Sequence, residues 1–351
     1  MSAEPASSWA ERLERAWLAR GPLACALWPL SLLYGAVTAV RRALYRSGAL
    51  TARTSPVPVI VVGNLIAGGA GKTPTVIALV TALRRRGYTP GVISRGYGGS
   101  ALEATEVTRA SSAAQCGDEP LLIHLRTGAP LMVGRDRAAA AESLATRHPG
   151  IDVIVSDDGL QHLRLSRVAQ VLVFDERGAG NGWRLPAGPL RDALPAAVPP
   201  RSLVLYNAAR ASTPLPGALA RRSLTGVVSL AGWWRGEAAS AEALASLRGR
   251  PLIAAAGLAR PQRFFAMLRD QCLTIDPLPL PDHHGYATLP WPADTPDVIV
   301  TEKDAIKLDP AGMGGTRVWV APLDFALDPS FLDALTALLP PPDPRHGNSP
   351  A

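Results

Sequence analysis

A glycine-rich loop between an apolar run and a helix constrains this chain more than any other feature. Residues 57–63 (VPVIVVG) are β-branched and end in glycine, which predicts a buried strand, and residues 74–86 have helical character. The turn between them ends in Lys72 and Thr73. A helix amino terminus carries unpaired N–H groups and a partial positive charge, so a glycine-rich turn at that point binds phosphate.

The arrangement predicts a P-loop that binds ATP and Mg²⁺. Lys72 is expected to reach the β- and γ-phosphates, and Thr73 to offer its hydroxyl to the metal. The usual pattern GxxxxGK[ST] begins with a glycine where this chain has Ile66, so the glycines are shifted. The predicted nucleotide-binding residues are Gly68, Gly69, Ala70, Gly71, Lys72, Thr73 and Pro74.

A pair of acids ends a second apolar run. Residues 151–159 (IDVIVSDDG) predict a strand that ends at Asp157 and Asp158. In P-loop enzymes a carboxylate at such a strand end coordinates Mg²⁺, directly or through water. Successive residues of a strand point to opposite faces, so we expect one of the two acids to face the metal and leave open which one.

The remaining apolar runs alternate with helical stretches. This alternation predicts an α/β fold of the P-loop NTPase type, with a mostly parallel sheet and helices on both faces. We expect a membrane-associated helical segment over residues 1–50 and a P-loop core over residues 51–225. A smaller α/β lobe over residues 226–338 is expected to close over the active site, and a Pro-rich disordered tail to follow over residues 339–351.

The amino-terminal segment is a candidate membrane anchor. Residues 23–40 are nearly all apolar, and arginines flank them on both sides. Acidic residues before the apolar run and the lack of a clear cleavage site argue against a signal peptide. Three arrangements stay open: a helix in the headgroup region, a helix that spans the bilayer, and a helix pair buried against the main domain. We expect the first, a peripheral or monotopic attachment to an anionic membrane surface.

Charge and cysteine content restrict the partners. Thirty-six Lys and Arg against 29 Asp and Glu leave a formal net charge of +7, which suits an anionic partner, although many soluble proteins carry such a charge without using it. Three scattered cysteines without a CxxC motif or a Cys/His cluster argue against a disulfide framework and a structural zinc site, and fit a reducing compartment. We expect neither a nucleic-acid partner nor an obligate protein partner.

Seven ordered motifs extend beyond the P-loop. They are VGNLIAGGAGKTP, RGYGG, GDEP, DDGLQH, GNGWRLPAGPLR, PDHHGY and TEKDAIK, and they run from about residue 57 to residue 308. In these motifs the chain resembles the tetraacyldisaccharide 4′-kinase family. The resemblance implies phosphate transfer from MgATP to the 4′-hydroxyl of a lipid-linked glucosamine disaccharide 1-phosphate, at the cytoplasmic face of the bacterial inner membrane.

The resemblance also implies a catalytic pair. Asp118 of GDEP is the expected base, and His283 of PDHHGY is its expected partner. An Asp–His pair makes chemical sense because each residue orients the other and stabilises the charge that develops on proton uptake. His283 is preferred to His284 because it directly follows Asp282, as the histidine of the family does.

Three further residues are assigned to the substrate by the same resemblance. Arg137 and Arg191 are expected to hold the anionic disaccharide, since a guanidinium binds phosphate through two parallel hydrogen bonds. Glu119 is grouped with them, and assistance to Mg²⁺ and orientation of Asp118 both stay open as its role.

Two other functions are considered. A P-loop switch GTPase or partitioning-type ATPase shares the GGxGKT loop, but Ala67 stands where its signature lysine precedes the glycine pair. Such a protein hydrolyses nucleotide without a sugar acceptor. A non-enzymatic membrane-binding module leaves the P-loop and the paired acids unexplained. Residues 301–304 (TEKD) differ from the guanine-reading [NT]KxD by one place and carry no prediction of nucleotide specificity.

Overall fold

The structure is a computed structural model that describes residues 9–100, 103–282 and 284–343. The predicted catalytic His283 and residues 344–351 of the predicted tail lie outside the described residues. The helices are α1 (Trp9–Ala16), α2 (Pro22–Arg46), α3 (Lys72–Arg85), α4 (Ala113–Cys116), α5 (Asp118–Thr127), α6 (Arg137–Arg147), α7 (Leu230–Arg235), α8 (Ala241–Ser246), α9 (Pro261–Asp270), α10 (Glu302–Ala305) and α11 (Pro329–Thr336).

The strands form two sheets and one ribbon. The strands are β1 (Val59–Gly63), β2 (Pro90–Ser94), β3 (Thr105–Val107), β4 (Leu131–Val133), β5 (Val153–Asp157), β6 (Ala169–Phe174), β7 (Ser202–Tyr206), β8 (Ala218–Leu219), β9 (Arg221–Ser223), β10 (Val228–Ser229), β11 (Leu252–Ala256), β12 (Ile275–Pro279), β13 (Asp297–Thr301), β14 (Arg317–Ala321) and β15 (Asp324–Ala326).

The larger sheet has the strand order β3-β4-β2-β5-β1-β6-β7-β8. Its neighbouring strands are parallel except for the edge pair β3 and β4. The strand that precedes the P-loop, β1, lies in the middle between β5 and β6, with Val62 opposite Asp157. The carboxyl ends of these three strands therefore meet at one edge, where open α/β sheets bind their ligands.

Both faces of β1 are buried, which explains its uninterrupted apolar sequence. On one face Ile60 and Val62 pack in the same apolar cluster as Leu79 and Leu83 of α3. On the other face Val59 and Val61 share a cluster with residues of α6. The predicted α/β fold with a mostly parallel sheet and helices on both faces is confirmed.

A smaller sheet follows in the carboxyl-terminal part, with the order β10-β14-β13-β11-β12. Strands β9 and β15 pair with each other in a separate antiparallel ribbon. In the chain, β9 follows the last strand of the larger sheet and β15 follows β14 of the smaller sheet, so the ribbon lies between the two lobes. The large apolar cluster on the α3 face continues into the smaller lobe, where it includes Val300 and Ile306. The boundary expected near residue 226 stays a prediction; the larger sheet ends at Leu219 and the smaller one begins at Val228.

Helix α2 docks on the core along a narrow stripe. Its buried residues are small: Ala24, Ser31 and Gly35. Ser31 Oγ donates to the carbonyl of Arg184 at 2.6 Å and accepts from the backbone N–H of Ala187 at 3.0 Å. The stripe therefore ties the helix to the loop of residues 181–192.

A large part of the remaining α2 surface is apolar and exposed. This helix is long and apolar enough to cross a membrane, and 17% of its most apolar 18-residue window is buried. Large side chains stand exposed along it, namely Trp28, Leu30, Leu32, Leu33, Val37, Val40 and Leu44. Among the described residues no protein element covers this surface. A continuous exposed apolar patch of this kind marks an interaction surface.

We expect Ser31→Ala to loosen α2 from the core. The change leaves the Ala187 N–H without a partner, whereas the Arg184 carbonyl still accepts from the N–H of Gly188. An unsatisfied buried polar group costs about 1–3 kcal/mol. Amide hydrogen exchange in detergent should show faster exchange at Ala187. Thr38→Ala is the matched control, because Thr38 Oγ1 bonds only within its own helix, to Gly35. Equal exchange in both variants would show that Ser31 does not hold the helix.

Candidate active site

The glycine-rich loop needs glycine at position 71 for two reasons. Gly71 has a φ of 90°, in the left-handed region that side chains disfavour. A Cβ there would lie 1.8 Å from Nδ2 of Asn207, which donates to the carbonyl of Ala70 at 2.9 Å. Asn207, which follows β7, thus packs against the loop from outside and holds its shape. Sequence reasoning missed Asn207, since only the sheet order places the end of β7 beside β6 and the loop.

Lys72 is held in place from two sides. Its side chain is 9% exposed, and Nζ donates to Oδ1 of Asn64 at 3.2 Å while lying 3.7 Å from Oδ2 of Asp158. Nδ2 of Asn64 donates to the carbonyl of Gly68 at 3.0 Å, so one amide positions both the loop and the lysine. Thr73 is buried beside it. Asn64 was also missed, although it directly follows the predicted strand.

The two acids of the DDG motif point in different directions because the strand ends between them. Asp157 is the last residue of β5, and Asp158 has a φ of 48°, which turns the chain. Oδ2 of Asp157 accepts from Ser94 Oγ at 3.1 Å. Its Oδ1 is buried and has no hydrogen-bond partner among the described residues. Burial, together with the nearby charges of Glu119 and Asp158, raises the pKa of Asp157.

Asp158 lies among positive charges. Burial disfavours its charged form, but Lys72 and Arg191 outweigh the burial and lower its pKa. Arg191 Nη1 lies 3.1 Å from Oδ2 and 3.2 Å from Oδ1 of this carboxylate. The predicted substrate residue Arg191 is thus joined to the P-loop lysine through Asp158.

Arg137 has a different setting. Its side chain is 3% exposed, and it donates to the carbonyls of Gly134 at 3.1 Å and Asp157 at 3.0 Å. These bonds hold the backbone behind the paired acids. Nε of Arg137 is buried without a hydrogen-bond partner among the described residues.

Asp118 and Glu119 begin helix α5 and face two lysines of the smaller lobe. Lys307 Nζ lies 3.4 Å from Oδ2 of Asp118, and Lys303 Nζ lies 2.9 Å from Oε1 of Glu119. The two lysines are four residues apart, one in α10 and one in the turn that follows it, and they lie on the same side of this segment. A further contact between the lobes joins Arg126 of α5 to Glu302 of α10.

The charges in this group depend on each other. Burial disfavours the charged form of Glu119, but Lys303 and Lys72 outweigh the burial and lower its pKa. Burial likewise disfavours a charged Lys303, but Glu119 and Asp282 outweigh it and raise the pKa of the lysine. Both partners are therefore ionised at neutral pH.

Lys303 and Lys307 were not assigned a role from the sequence, although one signal was available. The chain has 36 basic residues, and only Lys72, Lys303 and Lys307 are lysines. All three lie at this site beside a carboxylate. A lysine is a compact charge, whereas an arginine needs space for a planar fork. The scarcity of lysine in this arginine-rich chain is therefore the signal that could have singled out Lys303 and Lys307.

A cavity of about 590 Å³ lies between the two lobes. Residues 69–74 of the loop line one side, and the smaller lobe contributes Asp282, Lys303 and the β15 ribbon. Glu119 also lines it. The structure thus brings the P-loop, Glu119 and the residue next to His283 around one space. Asp118, Arg137, Asp157, Asp158 and Arg191 stand behind this lining rather than on it.

We expect Lys303→Met to destabilise the protein in a pH-dependent way. The Glu119 side chain is 32% exposed, so loss of its partner should cost about 1–2 kcal/mol rather than the larger figure of a fully buried pair. The pKa of Glu119 is lowered in the folded state, so the pair stabilises the fold above the ordinary carboxylate range. That contribution is lost as pH falls through the lowered pKa. Denaturant unfolding between pH 7 and pH 3 should show the difference from wild type shrinking with acid.

The control is the double variant Lys303→Met/Glu119→Gln, which removes the charge on both sides. It should be more stable than Lys303→Met alone at pH 7. A loss that is the same at every pH would contradict the ion-pair account.

Comparison with known proteins agrees with this geometry. A family model described as tetraacyldisaccharide-1-P 4′-kinase matches residues 23–340. Two proteins named tetraacyldisaccharide 4′-kinase, from Methylibium petroleiphilum and Leptothrix cholodnii, are each 57% identical to this chain. The alignment with the Methylibium protein covers 95% of both chains. The alignment with the Leptothrix protein covers 94% of this chain and 96% of the relative.

A solved structure resembles the whole molecule. The crystal structure of LpxK from Aquifex aeolicus in complex with ATP has a TM-score of 0.74 and 26% identity, and it covers 90% of this chain and 99% of its own. The family match spans most of the chain, and the relatives match nearly from end to end. The chain belongs to the tetraacyldisaccharide-1-P 4′-kinase family.

Proposed function

We propose that this protein is an ATP-dependent kinase that phosphorylates the 4′-hydroxyl of a tetraacylated glucosamine disaccharide 1-phosphate, a step of lipid A biosynthesis. One observation carries the proposal: the P-loop with Lys72 and Glu119 line a single cavity between the lobes, with Asp118 directly beside Glu119. A phosphate donor and a base for the acceptor are thus close together. The names of the relatives and the ATP bound by the Aquifex protein support the same function.

The loop supplies the donor site. Backbone N–H groups at the start of α3 face the cavity side where phosphates bind, and Lys72 adds a fixed positive charge. Asn64 and Asp158 hold the lysine in position before any ligand arrives. Such preorganisation matters because phosphoryl transfer is catalysed mainly by positioning and by electrostatic stabilisation.

The residues present fit a Mg²⁺ ion that binds with the nucleotide. Among the described residues no three His, Cys, Asp or Glu side chains form a metal cluster. Mg²⁺ with a nucleotide instead takes one or two protein ligands and completes its shell with phosphate and water. Thr73 and Asp157 would hold it, since Oδ1 of Asp157 is buried and unpaired while Asp158 is occupied by Lys72 and Arg191. When bound, the ion would offset the negative charge of the phosphates.

Asp118 is the proposed base that accepts the proton of the sugar hydroxyl. Its carboxylate is 6% exposed, accepts from the backbone N–H of Glu119 at 3.1 Å and lies beside Lys307. These contacts hold the side chain in one orientation. His283 is its proposed partner, and the adjacent Asp282 lines the cavity and lies 3.9 Å from Lys303. The smaller lobe would thus supply both Lys307 and the proposed histidine partner of the base.

Helix α2 is proposed to bring the site to its lipid substrate. Tyr34 donates to the carbonyl of Arg191 at 3.0 Å, and Arg42 lies 2.6 Å from Asp192. The loop that carries Arg191 is therefore built against the helix with the bare apolar face. We propose that this face lies in the cytoplasmic surface of the inner membrane, with Arg191 positioned for the anionic disaccharide. Arg137 supports the same site through the backbone of Asp157.

We expect Asp118→Ala to abolish transfer while nucleotide binding stays near the wild-type level, because Asp118 is proposed to act on the acceptor hydroxyl and the P-loop residues bind the nucleotide. The measurement is transfer of radiolabelled phosphate from ATP to the lipid A disaccharide 1-phosphate, beside ATP affinity by calorimetry. Lys72→Ala should lose both. Wild-type turnover by Asp118→Ala would rule out the base assignment. ATP hydrolysis by the wild type that needs no acceptor would favour a switch ATPase instead.

We expect charges on the bare face of α2 to release the protein from membranes. Burying a charged side chain in lipid is costly, so Leu33→Glu/Val37→Glu/Val40→Glu should move the protein from anionic vesicles to the supernatant in a flotation assay. Deletion of residues 1–46 should do the same. A control triple variant adds the same charge on exposed helix positions away from α2, at Thr146, Ala245 and Gln262. Continued flotation of both α2 variants at moderate salt would place the attachment elsewhere.

A further inference from the structure

Arg222 reaches the P-loop from the ribbon between the lobes. It is the central residue of β9 and pairs with Phe325 of β15. Its Nη2 lies 3.2 Å from the point where a Cβ on Gly71 would stand. Arg222 also lines the cavity with Lys72 and Thr73. An arginine of the connecting ribbon therefore stands beside the phosphate-binding loop.

The guanidinium of Arg222 has no hydrogen-bond partner among the residues that the structure describes. Its Nε is buried without a hydrogen bond, and among the described residues the group makes no ion pair. Burial lowers its pKa to about 10, although the charge of Asp175 opposes that shift. The group still keeps its charge at neutral pH, and an unpaired cation that is partly buried is less stable than one in open water. Such a group fits a site that an anion completes.

Neighbouring arginines on the same side are already occupied. Arg177 binds the carboxylate of Asp175 at 2.9 Å and donates to the carbonyls of Ala67 at 3.1 Å and Gly69 at 2.9 Å. Arg260 and Arg263 of the smaller lobe both pair with Glu176. Arg222 differs from the other three arginines because, among the described residues, its guanidinium N–H groups have no acceptor and can bind an anion.

The side from which Arg222 approaches tells which part of a nucleotide it meets. Asn207, after β7, shares its contact with Gly71, and Asp175 follows β6, so Arg222 lies on the β6–β7 side of the loop. On the other side, Asp157 ends β5 and accepts from Ser94 of β2. Asp118 lies there too, because the preceding Gly117 packs against the loop that follows β2. The transferred phosphoryl group belongs on the side of those acids. Arg222 is therefore placed toward the phosphates that remain in the product ADP.

We propose that Arg222 is a nucleotide-binding residue whose guanidinium holds the α- and β-phosphates from the ribbon side. The inference rests on the proposed kinase function and extends it, since it assigns an anion ligand outside the P-loop motif. Because β9 pairs with β15, phosphate bound by Arg222 is also linked to the ribbon that connects the lobes. The guanidinium fork can donate two bonds to one phosphate, which a lysine cannot do.

The test compares Arg222→Ala and Arg222→Lys with Arg221→Ala. Arg221 is the matched control, because it lies next to Arg222 on β9 and is exposed. Calorimetry with ATP and with ADP should give dissociation constants raised roughly tenfold to hundredfold in Arg222→Ala, equally for both nucleotides. Arg222→Lys should recover only part of the affinity, and Arg221→Ala should match wild type. Added guanidinium chloride at millimolar concentration should partly restore ADP binding to Arg222→Ala and leave the control unchanged.

Three results would overturn the inference. Wild-type affinity of Arg222→Ala for both nucleotides is one, and a loss confined to ATP is another, since it would place Arg222 at the γ-phosphate. A loss without any rescue by guanidinium or by Arg222→Lys, in a variant with lowered Tm, would indicate a structural role. Failure of the proposed function looks different: the wild type itself would then transfer no phosphate to the lipid disaccharide.

Discussion

The site depends on the burial of a positive charge, Lys72, at the carboxyl edge of a parallel sheet. Its ammonium group is stable there because Asn64 and Asp158 face it from two sides. Asp158 can do so because the chain turns immediately after β5. Arg191 then shares the same carboxylate, so the donor loop and a residue assigned to the lipid substrate are held by one acid. The turn at Asp158 thus links the P-loop lysine to Arg191.

The two lobes contact each other through charge as well as through apolar packing. Lys303 and Lys307 lie against the acids that begin α5, and Arg126 of α5 lies against Glu302. The acids at the cavity therefore have their partners only when the smaller lobe is in place. The protonation states of Asp118 and Glu119 therefore depend on the contact between the two lobes. The separation of the lobes would leave Asp118 and Glu119 without these partners.

Helix α2 is likewise fixed to the core by specific contacts with the loop that carries Arg191. Small residues let it approach the loop of residues 181–192 closely, and the large apolar residues point away from the protein. The same loop carries Arg191, so under the proposed function one contact surface would set both membrane attachment and substrate position. A flexible tether to the membrane would not position the site in this manner.

Local sequence was enough to predict the fold class, the P-loop and the paired acids. Each depends on a short periodic or glycine-rich pattern, and the family resemblance followed from seven such stretches in order. Asn64, Asn207, Lys303, Lys307 and Arg222 escaped sequence reasoning. Their roles depend on which strands are neighbours and on how the second lobe sits against α5.

The sequence by itself therefore predicted that a glycine-rich, phosphate-binding type of loop follows a buried strand, because that pattern is continuous in the chain. Only the tertiary structure decided which charges face each other around it. Lys303 stands 184 positions from Glu119 along the chain, yet their side chains are 2.9 Å apart. No local periodicity encodes such a pair, since Coulomb attraction acts through space and its partners are chosen by the packing of one lobe on the other.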